Sequence, residues 1–166
     1  MLIACVVSGC APTTPTGVSP ESTIRDVFQT DLPSSVTNAQ TWSARMMTQI
    51  VHGRFECDKT DLPNFLSGSD LIPDKLETGA NPLRQIQAAN LPWWQPSSLQ
   101  EASGVECNWD AGSSVASCML AAGREPGTER MVVYFMVVYE SKNQTGLRPE
   151  VKADSQWGTT DKRNPQ

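Results

Sequence analysis

The feature that most constrains the fold of this chain is a run of nine apolar residues, 131–139, within the stretch ERMVVYFMVVYE. The run contains only β-branched, aromatic and Met side chains, and charged residues flank it on both sides. A helix needs about 20 residues to cross a bilayer, whereas a short, continuously apolar stretch is typical of a strand that is covered on both faces. We therefore expect residues 131–139 to form the central strand of a sheet.

Two segments before this run alternate apolar and polar residues. In SGVECNWD, the side chains of Val105, Cys107 and Trp109 share one face, and the polar side chains between them share the other. A turn-forming stretch, residues 110–113, separates this segment from SSVASCMLAAG. The pattern predicts an antiparallel hairpin of two strands.

One register of this hairpin keeps the apolar residues on a single face. The opposed pairs are then Val105 with Leu120, Cys107 with Cys118, and Trp109 with Ala116. Opposed cysteines in an exported protein form a disulfide when their Cα atoms lie within reach, so we expect a Cys107–Cys118 disulfide. Cys57 is then the odd thiol, interpreted as a small buried side chain. Its pairing with Cys107 or Cys118 is the structural alternative.

The stretch ARMMTQIVHGRFECD predicts a further strand with one face in the core. One side of this strand is apolar and consists of Met47, Val51, Phe55 and Cys57. The other side is polar and consists of Thr48, His52, Arg54 and Glu56. On this pattern we expect His52 to be an exposed or hydrogen-bonded surface residue. Trp42 is assigned to a strand that precedes this one.

Two segments between the strands carry helix signals. In KTDLPNFLSG, Thr60 or Asp58 serves as a cap and Gly68 as a terminator, and in NPLRQIQAAN the cap is Asn81. Strands with helices segregated between them indicate an α+β fold. We expect one small domain with a mainly antiparallel sheet, a C-terminal hairpin, a central strand near 130–140 and one or two short helices between strands.

Composition and charge disfavour several classes of partner. Of the 166 residues, 39% are hydrophobic and 19% are charged, which is the balance of one globular domain. The net charge of −5 and the pI near 4.8 disfavour nucleic acids and anionic lipid surfaces, because both attract clustered Lys and Arg. We therefore expect no nucleic-acid partner.

The N-terminal segment, residues 1–9, resembles the apolar part of a secretory signal and ends in small residues. The motif Val7-Ser8-Gly9-Cys10 resembles the lipobox of bacterial lipoproteins, in which a small residue precedes the cysteine that is acylated. The resemblance implies that Cys10 is the lipid attachment site and the first residue of the mature protein. No Lys or Arg precedes Cys10, a departure from lipoprotein signals that a start codon further upstream would explain. A cytosolic N-terminus of apolar composition is the alternative.

A polar linker follows the lipobox, since APTTPTGVSPEST contains three prolines and no apolar periodicity. The expected organisation is a signal remnant at 1–9, the anchor cysteine and linker at 10–23, a globular domain at 24–141 and a polar tail at 142–166. Two or more acyl chains hold a protein stably on a membrane, so the lipid bilayer is an expected partner. By the same resemblance, Ala11 in place of Asp favours the outer membrane of the cell envelope, where one exists.

Candidates for catalysis and metal binding are few. His52 is the only histidine, which excludes a site with several histidine ligands. The sequence has no CxxC, HExxH, P-loop or GxGxxG motif. We assign no catalytic residue, no metal ligand and no cofactor, and we expect a non-enzymatic role in binding, inhibition or assembly. A small enzyme with an unrecognised site at His52 or Cys57 is the alternative.

Two adjacent tryptophans are the candidate contact with a partner. In LPWWQP, prolines flank Trp93 and Trp94. Neighbouring side chains of an extended segment point to opposite sides, so we expect one tryptophan to be buried and the other to be partly exposed. The functional interpretation is an aromatic platform for a protein or glycan. The alternative, which we prefer, is a loop held on the sheet by large aromatic side chains.

Overall fold

Six antiparallel strands form one sheet in the structure, a computed structural model that describes residues 18–45, 48–88 and 90–141. The helices are α1 (Pro20–Phe28) and α2 (Leu62–Ser67), and a 3₁₀ turn lies at Pro96–Ser98. The strands are β1 (Thr37–Arg45), β2 (Gln49–Cys57), β3 (Glu77–Thr78), β4 (Gln100–Ala111), β5 (Ser114–Arg124) and β6 (Met131–Ser141). Their order across the sheet is β1-β2-β6-β5-β4-β3. The expected α+β class, a single domain with a mainly antiparallel sheet, is confirmed.

The apolar run forms β6, which lies between β2 and β5. Val133, Phe135 and Val137 are fully buried on one face of the sheet, and Val132 and Tyr134 are buried on the other. The prediction of a central strand near 130–140 is therefore confirmed, because both faces of β6 lie in apolar surroundings.

β4 and β5 form the predicted hairpin. The opposed pairs include Val105 with Leu120, Cys107 with Cys118, and Trp109 with Ala116, as the alternation predicts. Gly112 in the turn has a φ of 71°, where a side chain would be strained, and its N–H donates to the Asp110 carboxylate. Alternation determines this register because a slip of one residue would move every apolar side chain to the other face.

The two helices pack on one face of the sheet and enclose what we call the helix-side core. Its aromatic members are Phe28, Phe55, Phe65 and Phe135. Phe28 meets Phe65 and Phe135 edge to face, with ring centroids 5.4 and 4.9 Å apart. Gly53 on β2 leaves room for Phe135, since a Cβ at Gly53 would lie 2.0 Å from Cζ of that ring.

The opposite face is covered by the segment 79–99, whose described residues contain no α-helix. The buried side chains beneath this segment form the loop-side core: Leu83, Leu91, Trp94, Ala121, Val132 and Tyr134. The prediction of a helix in NPLRQIQAAN is wrong, because the N–H groups of Arg84 and Ile86 bond to carbonyls only three residues earlier and form turns. Asn81, the predicted cap, instead donates its side-chain amide to the Pro96 carbonyl.

α1 begins at Pro20, within the stretch 10–23 whose prolines predict a linker. Its N-cap is Ser19, whose hydroxyl accepts the N–H of Ser22 at 3.1 Å, and Glu21 lies in the first turn. Three of its side chains enter the helix-side core: Ile24, Val27 and Phe28. The Ser-Pro-Glu sequence is a helix start signal, with a capping hydroxyl, a proline in the first turn and an acidic residue near the helix N-terminus. α2 agrees with the helix predicted in KTDLPNFLSG and ends at the predicted Gly68, but the predicted cap is wrong, because the N-cap is Asp61 rather than Thr60 or Asp58.

Candidate functional site

Trp94 holds the segment 79–99 on the sheet. Its side chain is 6% exposed, and its indole N–H donates to the Ile86 carbonyl at 3.0 Å. The ring lies edge to face against His52 and Tyr134, with centroids 4.6 and 5.5 Å away. These contacts give Trp94 a structural role, since large aromatic side chains dominate core energetics.

Trp93 is only half-buried and lies on an open cleft of about 340 Å³. We call this the Trp93 cleft; it is lined by Asn38, Gln40, Arg54, Pro92, Trp93, Gln95, Glu125 and Tyr134. The register of β1 shifts between Thr37 and Gln40, where Asn38 has a φ of 50°, and both Asn38 and Gln40 line the cleft. The site therefore combines residues of β1, β2 and β6, the residue that follows β5, and one irregular segment. The role of Trp93 as a partner contact stays a prediction.

A network of charged and polar groups fixes the floor of the cleft. Arg54 lies 2.9 Å from a carboxylate oxygen of Glu56 and 2.9 Å from one of Glu125. Its Nε donates to the Tyr134 hydroxyl at 3.3 Å. That hydroxyl also contacts the Glu125 carboxylate and lies 3.2 Å from the Trp93 carbonyl. The irregular segment is thus connected to β2 and β6 through Tyr134.

Both titratable groups at the centre of this network keep one protonation state near neutral pH. Burial by itself lowers the pKa of Arg54, but hydrogen bonds with Glu125, Tyr134 and Glu56 outweigh this effect and raise the pKa. Burial, followed by the hydrogen bond with Glu125, raises the pKa of Tyr134 to about 12. Arg54 therefore stays cationic and Tyr134 stays neutral, so neither serves as a general acid or base at neutral pH.

Gln40 supplies an unused hydrogen-bond acceptor beside the cleft. Its Oε1 atom is buried and accepts no hydrogen bond from the residues that the structure describes. An unsatisfied buried acceptor costs about 1–3 kcal/mol. Because this atom has no exposed surface, a ligand hydroxyl or amide in the cleft could donate to it only after the Gln40 side chain rotates.

Sequence reasoning missed most of the residues that line this cleft. Arg54 and Glu56 were visible as polar positions on β2, but alternation places them on a face without telling what covers that face. Glu125 stands before a Pro-Gly turn and Gln40 stands in a polar strand, and neither position carries a motif. Only Trp93 was marked by its sequence context.

His52 is buried, so the expectation of a surface residue is wrong. Its side chain is 7% exposed, and its ring centroid lies 5.6 Å from that of Trp42 and 4.6 Å from that of Trp94. The segment 79–99 covers this face of β2, which the alternation of β2 alone does not reveal. Burial lowers the pKa of His52, so the imidazole is neutral.

Cys57 lies on the other face of β2, in the helix-side core, and is fully buried. Burial, followed by the charge of Asp61, raises its pKa to about 11, so it remains a thiol. His52 and Cys57 point to opposite sides of one strand and do not form a nucleophile and base pair. Cys57 opposes Met131 of β6.

The hairpin cysteines face each other in the register expected for a disulfide. Both are thiols in the structure, and the hydrogen bond between them lowers the pKa of Cys107 and raises that of Cys118. The Cys107–Cys118 disulfide stays a prediction. Cys118 is too far from Cys57 for the alternative pairing. Cys118 opposes Val137 of β6 and Cys57 opposes Met131, and these two positions lie about 20 Å apart along β6.

The predicted lipidation site Cys10 lies outside the described residues. Within the described part of the chain, no helix has the length and apolarity needed to cross a bilayer, and no group of three or more His, Cys, Asp or Glu side chains is placed to hold a metal ion. Comparisons of the chain with protein-family models, with curated proteins and with solved structures find no match. The functional argument therefore depends on the residues of the site itself.

Proposed function

We propose that this chain is a membrane-anchored lipoprotein of the bacterial cell envelope whose domain binds a saccharide without converting it. The proposed anchor is an acylated Cys10, supported by its resemblance to a lipobox cysteine and by the Pro/Thr-rich stretch that follows it. The proposed binding site is the Trp93 cleft.

The observation that carries the proposal is the half-buried Trp93 indole beside uncharged hydrogen-bonding side chains. Asn38, Gln40 and Gln95 place three amides around the cleft, and amides both donate to and accept from hydroxyl groups. An aromatic face packs against the apolar face of a sugar ring, while the amides engage its hydroxyls. The cleft volume of about 340 Å³ lies at the lower end of the range for small-molecule sites.

The charges of the cleft support a neutral ligand over an anionic one. Arg54 is the cation on its floor, and Glu56 and Glu125 both pair with it. A phosphate or acidic sugar would have to compete with two carboxylates that already hold the guanidinium. A ligand rich in hydroxyls meets no such competition.

The same network supports binding without turnover. General acid–base catalysis works best with groups whose pKa values lie near the operating pH. The pKa of Tyr134 is raised to about 12, by burial first, and the pKa of Arg54 is raised as well, so neither group exchanges a proton near neutral pH. Their role is to hold the shape and polarity of the cleft.

The binding site is tested by titrating oligomers of N-acetylglucosamine and of glucose into the full chain while tryptophan fluorescence is recorded. We expect the wild type to bind one of these probes and Trp93→Ala to weaken that binding by at least about tenfold with unchanged unfolding. The matched variant Trp94→Ala removes the same side-chain volume from the core and lowers stability by ~3–5 kcal/mol. If neither oligomer binds the wild type, or if Trp93→Ala binds as well as the wild type, the saccharide proposal is wrong.

The anchor is tested separately by fractionation and by mass spectrometry of the mature N-terminus. We expect an acylated chain that begins at Cys10 in the membrane fraction, and release of the Cys10→Ala variant into the soluble fraction. An unmodified chain beginning at Met1, recovered from soluble extract under the native upstream sequence, would reject the lipoprotein assignment.

A further inference from the structure

Cys107 and Cys118 meet in the sheet but differ in how far a molecule in solution can reach them. The two residues are directly opposed in the pair of β4 with β5. Cys107 is half-buried on β4, while Cys118 is 1% exposed on β5 and has Val137 of β6 on its other side. Any reaction of the folded hairpin with an external disulfide therefore starts at Cys107.

The hydrogen bond between the two thiols also favours Cys107 as the attacking group. In disulfide exchange the nucleophile is the thiolate rather than the thiol. The hydrogen bond with Cys118 lowers the pKa of Cys107 and outweighs the opposite effect of burial. The same hydrogen bond, followed by burial, raises the pKa of Cys118. Exposure and thiolate character thus select the same residue.

The strand pairing places Cys118 within reach of Cys107 for a second step. Opposed residues of an antiparallel pair have Cα atoms about 4.5–5.5 Å apart, and disulfides form at Cα separations of about 4.4–6.8 Å. A disulfide between the two residues therefore needs no movement of β4 relative to β5. Cys57 is excluded from this step because β6 lies between its strand, β2, and β5.

We propose that Cys107 and Cys118 form a thiol–disulfide exchange pair that reduces an exposed disulfide of another molecule. Cys107 is the attacking thiol and Cys118 is the resolving thiol. Both side chains lie on the face of the helix-side core, whereas the Trp93 cleft lies on the opposite face of the sheet. This inference therefore goes beyond the proposed saccharide binding and does not depend on it.

The exchange consists of two displacements at sulfur. The Cys107 thiolate attacks one sulfur of the substrate disulfide, and the substrate S–S bond breaks as a mixed disulfide with Cys107 forms. The Cys118 thiolate then attacks the Cys107 sulfur and displaces the second half of the substrate as a thiolate. The two leaving thiolates take up the two protons that Cys107 and Cys118 release to water. The protein pair is thereby oxidised by two electrons, and the substrate disulfide is reduced by two.

The stability of the product sets the direction of the exchange. A Cys107–Cys118 disulfide closes a short loop, and such a cross-link is expected to stabilise the folded state. By the thermodynamic cycle that links oxidation to folding, the folded chain then holds its disulfide more strongly than the unfolded chain does. The folded pair therefore passes its electrons to disulfides that no fold stabilises. The substrate class is an unconstrained disulfide that joins two separate thiols.

The test mixes the reduced full chain with oxidised glutathione and follows the cysteines by mass spectrometry. The parent protein carries Cys5→Ala and Cys10→Ala, so that only the three described cysteines can react. We expect the parent protein to form a Cys107–Cys118 disulfide and to release two molecules of glutathione per chain. Cys118→Ala should stop at a mixed disulfide of glutathione with Cys107, and Cys107→Ala should react at least about tenfold more slowly.

Cys57→Ala is the matched control, because it removes a fully buried thiol outside the pair and should leave the exchange unchanged. Brief treatment of the reduced parent protein with iodoacetamide is a second measurement that needs no hairpin variant. We expect alkylation of Cys107 to be at least about tenfold faster than that of Cys118. Equal trapping of glutathione by Cys107→Ala and Cys118→Ala, faster alkylation of Cys118, or oxidation of the pair only in urea would overturn the proposal.

Discussion

The two faces of the sheet are covered by different kinds of chain, and the groups buried beneath them differ accordingly. On the helix-side face, α1 and α2 enclose a core of mostly apolar side chains with Phe28 and Phe135 at its centre. On the loop-side face, an irregular segment covers His52, Arg54 and Tyr134. A helix presents one apolar stripe to the sheet. An irregular segment also presents backbone carbonyls and isolated side chains to it. The polar cleft therefore lies under the irregular cover, on the rigid surface of the sheet.

Removal of Trp94 tests whether the irregular cover contributes as much to stability as the helices do. We expect Trp94→Ala and Phe28→Ala each to lower the free energy of unfolding by ~3–5 kcal/mol, because both side chains are buried. Trp94→Ala also leaves the Ile86 carbonyl without its indole donor. Urea denaturation measures both values. A cost below about 1 kcal/mol for Trp94→Ala, as is usual for surface positions, would show that the segment 79–99 is a peripheral attachment.

Removal of Arg54 compares a largely buried ion pair with an exposed one. Arg54→Met leaves Glu125 without its cation and leaves Glu56 with only Arg130, 3.9 Å away, and we expect a loss of about 3 kcal/mol because both carboxylates are largely buried. Arg124→Met is the matched control, since Arg124 pairs with the exposed Glu101, and its expected cost is below about 1 kcal/mol. Equal costs in denaturation experiments would contradict the distinction between the two pairs.

Oxidation of the hairpin adds stability within the helix-side core, to which Cys118 belongs and against which Cys107 packs. We expect the Cys107–Cys118 disulfide to raise the free energy of unfolding by on the order of 3 kcal/mol relative to the reduced protein, since the closed loop is short. Non-reducing peptide mapping of the protein isolated from its native cells identifies the linkage. A linkage that includes Cys57 would contradict the strand order, because β6 separates β2 from β5.

Alkaline pH tests both faces, because Cys57 on one face and Tyr134 on the other are buried groups whose pKa is raised. Burial raises the pKa of Cys57 from 9.0 to about 11 on the helix side, and that of Tyr134 from 10.0 to about 12 on the loop side. The folded state keeps both protons where the unfolded state loses them, so stability holds below the unfolded pKa and falls as the pH rises toward the folded pKa. Thermal unfolding should decline first through the Cys57 window and then through the Tyr134 window.

Two variants show which titrating group causes each decline in stability. Cys57→Ala should remove the earlier decline and leave the later one, and Tyr134→Phe should do the reverse. If both variants follow the pH dependence of the wild type, neither group is linked to folding. If only one of the two variants changes the pH dependence of stability, then only the group that it replaces is linked to folding.

The sequence was informative where the pattern was local and one face was buried. The register of Cys107 with Cys118 follows from alternation within two adjacent segments, and β6 follows from an uninterrupted apolar run. The burial of His52 was missed because alternation tells which residues share a face, whereas the cover of that face comes from a segment distant in the chain. The contact of Arg54 with Glu125 is long-range in the same way and left no local signal. The start of α1 was missed because three prolines outweighed the capping signal at Ser19.

The position of β6 has a consequence for the order in which this domain acquires its structure. β6 is the last described strand to leave the ribosome, yet β2 and β5 both pair with it. Until residues 131–141 are present, the chain can form only separate β1–β2 and β4–β5 hairpins, and isolated hairpins are marginally stable in water. A polypeptide synthesised from its N-terminus therefore remains unfolded until nearly the whole domain exists. If the chain is exported as proposed, it could be threaded through a narrow translocation channel before its sheet closes.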